Sequence, residues 1–131
     1  MEFQSLVLIE RDNEGHFVRE LSSYKINPGA VYAKKFYMQN DKVYLEFHTD
    51  KDVEEWEYTA IYDLFDIEAF EKAGLDIEEL DDEYNPTWKV CFDFYEDHLE
   101  MEEKLNSILD LVEDKIEEVL QNIKGKEEQY Q

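Results

Sequence analysis

A thiol and an imidazole are the first residues in this chain that could do chemistry together. Cys91, within Thr87–Tyr95, and His48, within Lys42–His48, each fall opposite the apolar side of an alternating segment. A histidine within reach of a thiol can take its proton and leave a nucleophile. Such catalysis also needs donors for an oxyanion, and Cys91 lies between Val90 and Phe92, a setting where thiols serve as inert packing. An enzyme using His48 and Cys91 is therefore the minor reading. Phosphate cradles need clustered glycines, and the four glycines here are scattered. Paired carboxylates for glycoside chemistry cannot be singled out among 35 acids. We expect a non-catalytic protein.

Metal chemistry fares no better. His16, His48, His98 and Cys91 have no paired spacing of the kind zinc requires. Asp12-Asn13-Glu14-Gly15 lacks the downstream ligands of a calcium loop. Asp76, Glu78, Glu79, Asp81, Asp82 and Glu83 put six acids in eight residues, with no glycine to shape a loop around an ion. They read as an acidic surface that attracts cations weakly. No specific metal site and no cofactor is expected.

The wider charge balance decides more. Thirty-five acids against thirteen bases give a formal charge of −22, yet 43% of residues are hydrophobic and 15% aromatic. Disordered acidic tails share the charge but not the apolar content, so this chain should fold. Its 131 residues fit one domain, 1–131, with 126–131 as a frayed tail. The excess is uneven: residues 1–50 carry a net −2 and residues 51–131 a net −20. Direct binding to nucleic acid or to an anionic membrane is excluded on electrostatic grounds. Acidic rows such as Glu113, Asp114, Glu117 and Glu118 could instead imitate spaced phosphates, which makes a nucleic-acid mimic the alternative reading. One cysteine forbids an internal disulfide, and the apolar run Leu6–Ile9 is too short for a signal or a membrane span. A soluble, cytoplasmic protein is expected.

The elements that must position these residues follow from periodicity. Phe3–Glu10 and His16–Tyr24 read as a hairpin turned at Asp12–Gly15, and Val31–Met38 and Lys42–His48 as a second. Glu55–Phe65 reads as a strand because Trp56, Tyr58, Ala60, Tyr62 and Leu64 alternate with Glu57, Thr59, Ile61 and Asp63. A helix over 53–64 is the competing reading, since Val53, Trp56, Ala60 and Leu64 also have helical spacing. Asp66 caps a short helix stopped by Gly74, and Asp76–Leu80 reads as a further helical turn. Thr87–Tyr95 is a strand with Trp88, Val90, Phe92 and Phe94 on one side. From Asp97 onward, apolar residues from Met101 to Ile123 recur at intervals of three and four, which predicts one long helix ending at Gly125.

The fold class expected is α+β: an antiparallel sheet of about six strands, a short helical insertion, and a long C-terminal helix packed on one face. Tyr44, with Tyr24, Tyr37, Tyr58 and Tyr62, should lie on the other face beside His48. A phenol suits a half-buried recognition surface. Tyr44, Tyr58, Tyr62 and His48 are accordingly the candidate binding residues.

The stretches Val53-Glu54-Glu55-Trp56-Glu57-Tyr58, Ile61-Tyr62-Asp63-Leu64-Phe65 and Glu83-Tyr84-Asn85-Pro86-Thr87-Trp88, with the acidic C-terminal helix, resemble a family of small, acidic, uncharacterised bacterial proteins. The resemblance implies a bacterial cytoplasmic protein and brings no activity or site residue with it. The function expected is a protein-binding module whose aromatic sheet face and acidic surface meet another protein, a basic one or a second copy of itself.

Overall fold

The computed structural model describes residues 5–130. Strands β1 (Ser5–Arg11), β2 (Phe17–Lys25), β3 (Ala33–Gln39), β4 (Lys42–His48), β5 (Asp76–Glu79) and β6 (Thr87–Asp93) form one sheet. Helices α1 (Glu55–Leu64) and α2 (Ile67–Lys72) precede β5, and α3 (His98–Asn122) follows β6. The strand order is β2-β1-β3-β4-β6-β5. Among the described residues no helix is long and apolar enough to cross a membrane.

The α+β class and the count of six strands hold, but the sheet is mixed rather than antiparallel. β1 and β3 run parallel through Ile9 opposite Tyr37 and Glu10 opposite Met38. The cause is topological. β2 folds back onto the outer side of β1 and stays at the edge. The chain then crosses through a 3₁₀ turn at Pro28–Tyr32 to add the second hairpin on the other side of β1, which sets β3 parallel to β1.

Residues 55–64 form a helix, which corrects the strand reading. Glu57 reaches back to the Glu54 backbone N–H at 2.9 Å, and Glu55 and Glu57 stand at the positive end of the helix dipole. Ala60, Ile61 and Phe65 turn into the core, a spacing that only a helix delivers. The fifth strand comes instead from Asp76–Glu79, read above as a helical turn. Ile77 faces the core side opposite Val90, and acids occupy the rest of this short edge. Asp66 caps α2 by accepting from the Ala69 N–H at 3.2 Å, and Asp97 caps α3 by accepting from Glu100 at 3.0 Å. Where fraying is expected, Glu127–Tyr130 form a 3₁₀ turn, with the Tyr130 hydroxyl 2.5 Å from Asp63 Oδ2; Gln131 lies outside the described residues.

All three α-helices cover one face of the sheet. Val43, Leu45, Phe47, Trp88, Val90 and Phe92 line it and meet Met101, Leu105, Ile108, Val112 and Ile116 of α3 in one core. Each such side chain contributes about 1.5–3 kcal/mol on burial, before ordering entropy is subtracted. Phe65 stacks on Trp88 at 4.2 Å and Phe47 on Phe70 at 5.6 Å, which pins the α1–α2 corner onto the end of β4 and β6.

At the β2 edge of that same face α3 is sewn to the first half of the chain. His98, Glu102, Asn106 and Asp110 recur every four residues and so share one line of the helix. The Lys25 N–H donates to Glu102, Asn106 donates to the Lys25 carbonyl, and Asn27 donates to Asp110. This seam satisfies backbone groups at the end of the edge strand β2. Just beyond it Gly29 touches the helix backbone: a Cβ added there would stand 2.1 Å from the Leu109 carbonyl oxygen.

Candidate functional site

Every second residue of the strands points away from the helices, and the ladder identifies which. Across the middle of that open face run Ile9, Tyr37, Tyr44, Cys91 and Asp76, each opposite the next on neighbouring strands. Tyr37 and Tyr44 stack at 5.3 Å, and the Arg11 guanidinium lies 3.9 Å over the Tyr37 ring. Lys89 Nζ stands 5.5 Å over Tyr44 and 3.1 Å from Glu78. The result is an aromatic centre rimmed by charges, in which Tyr37 is buried at 5% exposure and Tyr44 is the half-buried ring that reaches the surface. Beside it lies a shallow groove of about 370 Å³, lined by Tyr44, Asp76, Ile77, Glu78, Lys89 and Cys91.

Electrostatics follow from this crowding. Burial pushes the Tyr37 hydroxyl up, as does the nearby Glu46 carboxylate. Burial alone would lower Lys89, but its hydrogen bond to Glu78 and the neighbouring Tyr37 and Glu46 raise it on balance. Glu46 is 6% exposed, and its Oε1 accepts no hydrogen bond among the described residues. Burial also raises the Cys91 thiol, which keeps it protonated and poorly nucleophilic.

Of the four expected binding residues the structure brings only Tyr44 and His48 to this face. Cys91 is opposite Tyr44 and His48 opposite Thr87, so four residues, about 13 Å of strand, separate thiol from imidazole. They do not meet. Burial holds His48 below its ordinary value, against the pull of Asp50.

Tyr58 and Tyr62 are corrected: both belong to α1 and serve the fold. The Tyr62 hydroxyl accepts from the Thr87 N–H at 2.9 Å and lies 2.9 Å from the Leu80 carbonyl and 3.1 Å from that of Thr87. It thereby stands in for a rung of the β5–β6 ladder. Burial raises its pKa well above the ordinary phenol range. Tyr58 packs edge-on at 5.0 Å and places its hydroxyl 3.0 Å from the carbonyls of Asp81 and Glu83. Tyr24 is likewise on the helical side, with Phe36.

The acidic stretch is divided by the pleat. Asp76 and Glu78 border the open face, while Glu79 points the other way, raised by burial and by Asp81. Asp81 and Asp82 are exposed in the following loop, and Glu83 pairs with Lys34 at 3.0 Å. Among the described residues no three carboxylate, histidine or cysteine groups converge where a metal ion could be held. Sequence reading passes over Arg11, Lys89 and Ile9; the signal for them is the alternation that carries Ile9 and Arg11 to the side of β1 opposite Leu8.

A two-layer α+β protein with helices on one side of a mixed sheet and an aromatic, charge-rimmed open face on the other is the class this geometry defines. The chain belongs to a family of unknown function, DUF6762, whose model matches residues 1–131. No curated protein and no solved structure matches it.

Proposed function

We propose that this protein is a non-catalytic module that binds another protein through the open face of its sheet. The observation that carries the reading is Tyr44, stacked on the buried Tyr37 and flanked by Arg11 and Lys89, at the centre of a face that none of the described α-helices covers. Aromatic and arginine side chains at the middle of a patch, with charges around them, are the composition of binding hot spots. The separation of His48 from Cys91 and the raised thiol support a binding role over a catalytic one.

Capture from a lysate of the source cells tests it, using wild type and Tyr44→Asp as baits at low and high salt. The reading expects protein retained at both salts by wild type, further copies of this chain included, and lost with Tyr44→Asp. Equal capture by the two baits refutes it. Capture limited to basic DNA-binding proteins and lost steeply with salt favours nucleic-acid mimicry by the exposed acids of α3, such as Asp114, Glu117 and Glu118.

A further inference from the structure

The open face differs from the rest of the molecule in its charge. The ladder places Arg11, Lys25, Lys35, Lys42 and Lys89 on it. It also places Glu20, Glu46, Asp76, Glu78 and Asp93 there. Five bases thus meet five acids, and Lys34, displaced by the β3 bulge, is neutralised by Glu83. The whole excess of −22 therefore lies on other surfaces. A face that serves only to solvate would share that excess.

The charges are also sorted. On β2, β1 and β3, Lys25, Arg11 and Lys35 outnumber Glu20 by two. On β4, β6 and β5, Glu46, Asp93, Asp76 and Glu78 outnumber Lys42 and Lys89 by two. The boundary between a +2 half and a −2 half falls between β3 and β4, the middle of six strands, where Tyr37 and Tyr44 are stacked.

From this sorting, and resting on the binding reading above, we infer that the partner of the open face is a second copy of the same chain. A two-fold axis parallel to the strands, running over the β3–β4 boundary, lays the positive half of each sheet on the negative half of the other. The half-buried Tyr44 rings, each backed by its buried Tyr37, come together near the axis, and the sheets stack aligned as in a sandwich. Any other partner would have to match a pattern that already matches itself. The area is sufficient: six strands at about 4.8 Å spacing and seven residues at about 3.3 Å rise give roughly 550 Å² per sheet. Two such faces remove about 1,100 Å² from water, just above the roughly 1,000 Å² that a specific interface needs. The pairing is accordingly concentration-dependent, and added salt weakens it without abolishing it, since the aromatic contact is not screened.

Sedimentation over a wide concentration range tests the pairing. Wild type should shift from the 15.8 kDa chain mass to twice that value. Arg11→Glu with Lys35→Glu makes both halves negative, and Asp76→Lys with Glu78→Lys makes both positive. Each double variant should weaken pairing at least about tenfold while keeping its melting transition, and the four changes together should restore it. Without any substitution, the rate of maleimide labelling at Cys91 should fall as protein concentration rises, because Cys91 lies in the central row. A wild type that stays monomeric with concentration-independent labelling overturns the inference, as does a quadruple variant no tighter than the doubles. Those outcomes leave the docking reading to be decided by the lysate experiment, where loss of Tyr44-dependent capture is a separate failure.

Discussion

Replacing Tyr62 by Phe removes one oxygen and nothing else, so its effect can be worked out from the contacts of that atom. The hydroxyl accepts from the Thr87 N–H at 2.9 Å and sits 2.9 Å from the Leu80 carbonyl. Thr87 is only 1% exposed, so water cannot take the phenol's place at its N–H without rearrangement. Losing a net hydrogen bond costs about 1 kcal/mol, and stranding a buried donor adds about 1–3 kcal/mol. The total expected is about 2–4 kcal/mol. With an unfolding entropy of about 2.1 cal/mol/K per residue, 131 residues lose about 3.6 °C of Tm per kcal/mol. Calorimetry should therefore record a Tm lower by about 7–14 °C. Tyr58→Phe, whose hydroxyl lies against the loop carbonyls of Asp81 and Glu83 and the Tyr62 hydroxyl but holds no buried N–H, should lose less than half as much. The same phenol predicts a pH effect. Its pKa is raised in the fold above the ordinary 10.0, so its contribution is complete below pH 10 and is lost as pH rises beyond. The gap between wild type and Tyr62→Phe should narrow above that pH. A Tyr62→Phe protein melting within about 2 °C of wild type would refute the ladder role and return Tyr62 to the list of binding candidates.

Gly29→Ala forces a methyl to within 2.1 Å of the Leu109 carbonyl oxygen, and backbone must move to relieve it. A loss of about 3 kcal/mol or more in urea unfolding is expected, against about 1 kcal/mol for Gly15→Asn, where the space is open and the only cost is the positive φ that asparagine tolerates better than most residues. Ile116→Asp buries a carboxylate at a fully buried position of α3 and should abolish the cooperative thermal transition at pH 7. His48 is held below its ordinary 6.5 in the fold, so the stability it contributes is present above that pH and lost as pH falls. His48→Gln should flatten the decline of Tm between pH 7 and 5 relative to wild type.

What could be read beforehand was whatever one periodicity settles alone. Val43, Leu45 and Phe47, and Trp88, Val90 and Phe92, alternate without a helical competitor, and all are buried on the helical face. The long stripe from Met101 to Ile123 has no strand competitor. At 55–64 both periods fit: Trp56, Ala60 and Leu64 satisfy either, and the deciding contacts come from Phe47 and Trp88 far along the chain. β5 has one apolar residue, Ile77, and is a strand because β6 offers it an edge, which no local pattern reveals. The open face was half legible for the same reason. Tyr44 and His48 follow from the alternation of β4, whereas Arg11 reaches Tyr37 only because β1 and β3 run parallel.

The seam on α3 has a consequence for how the molecule is made. Lys25 and Asn27 take their partners 77 to 83 residues downstream, and Gly29 takes its neighbour at Leu109. A ribosome extending this chain will have released the whole first half, both hairpins included, before those partners emerge. Until then the Leu8–Phe36–Leu45 surface is uncovered, so the nascent polypeptide depends on its final quarter to become a protein at all.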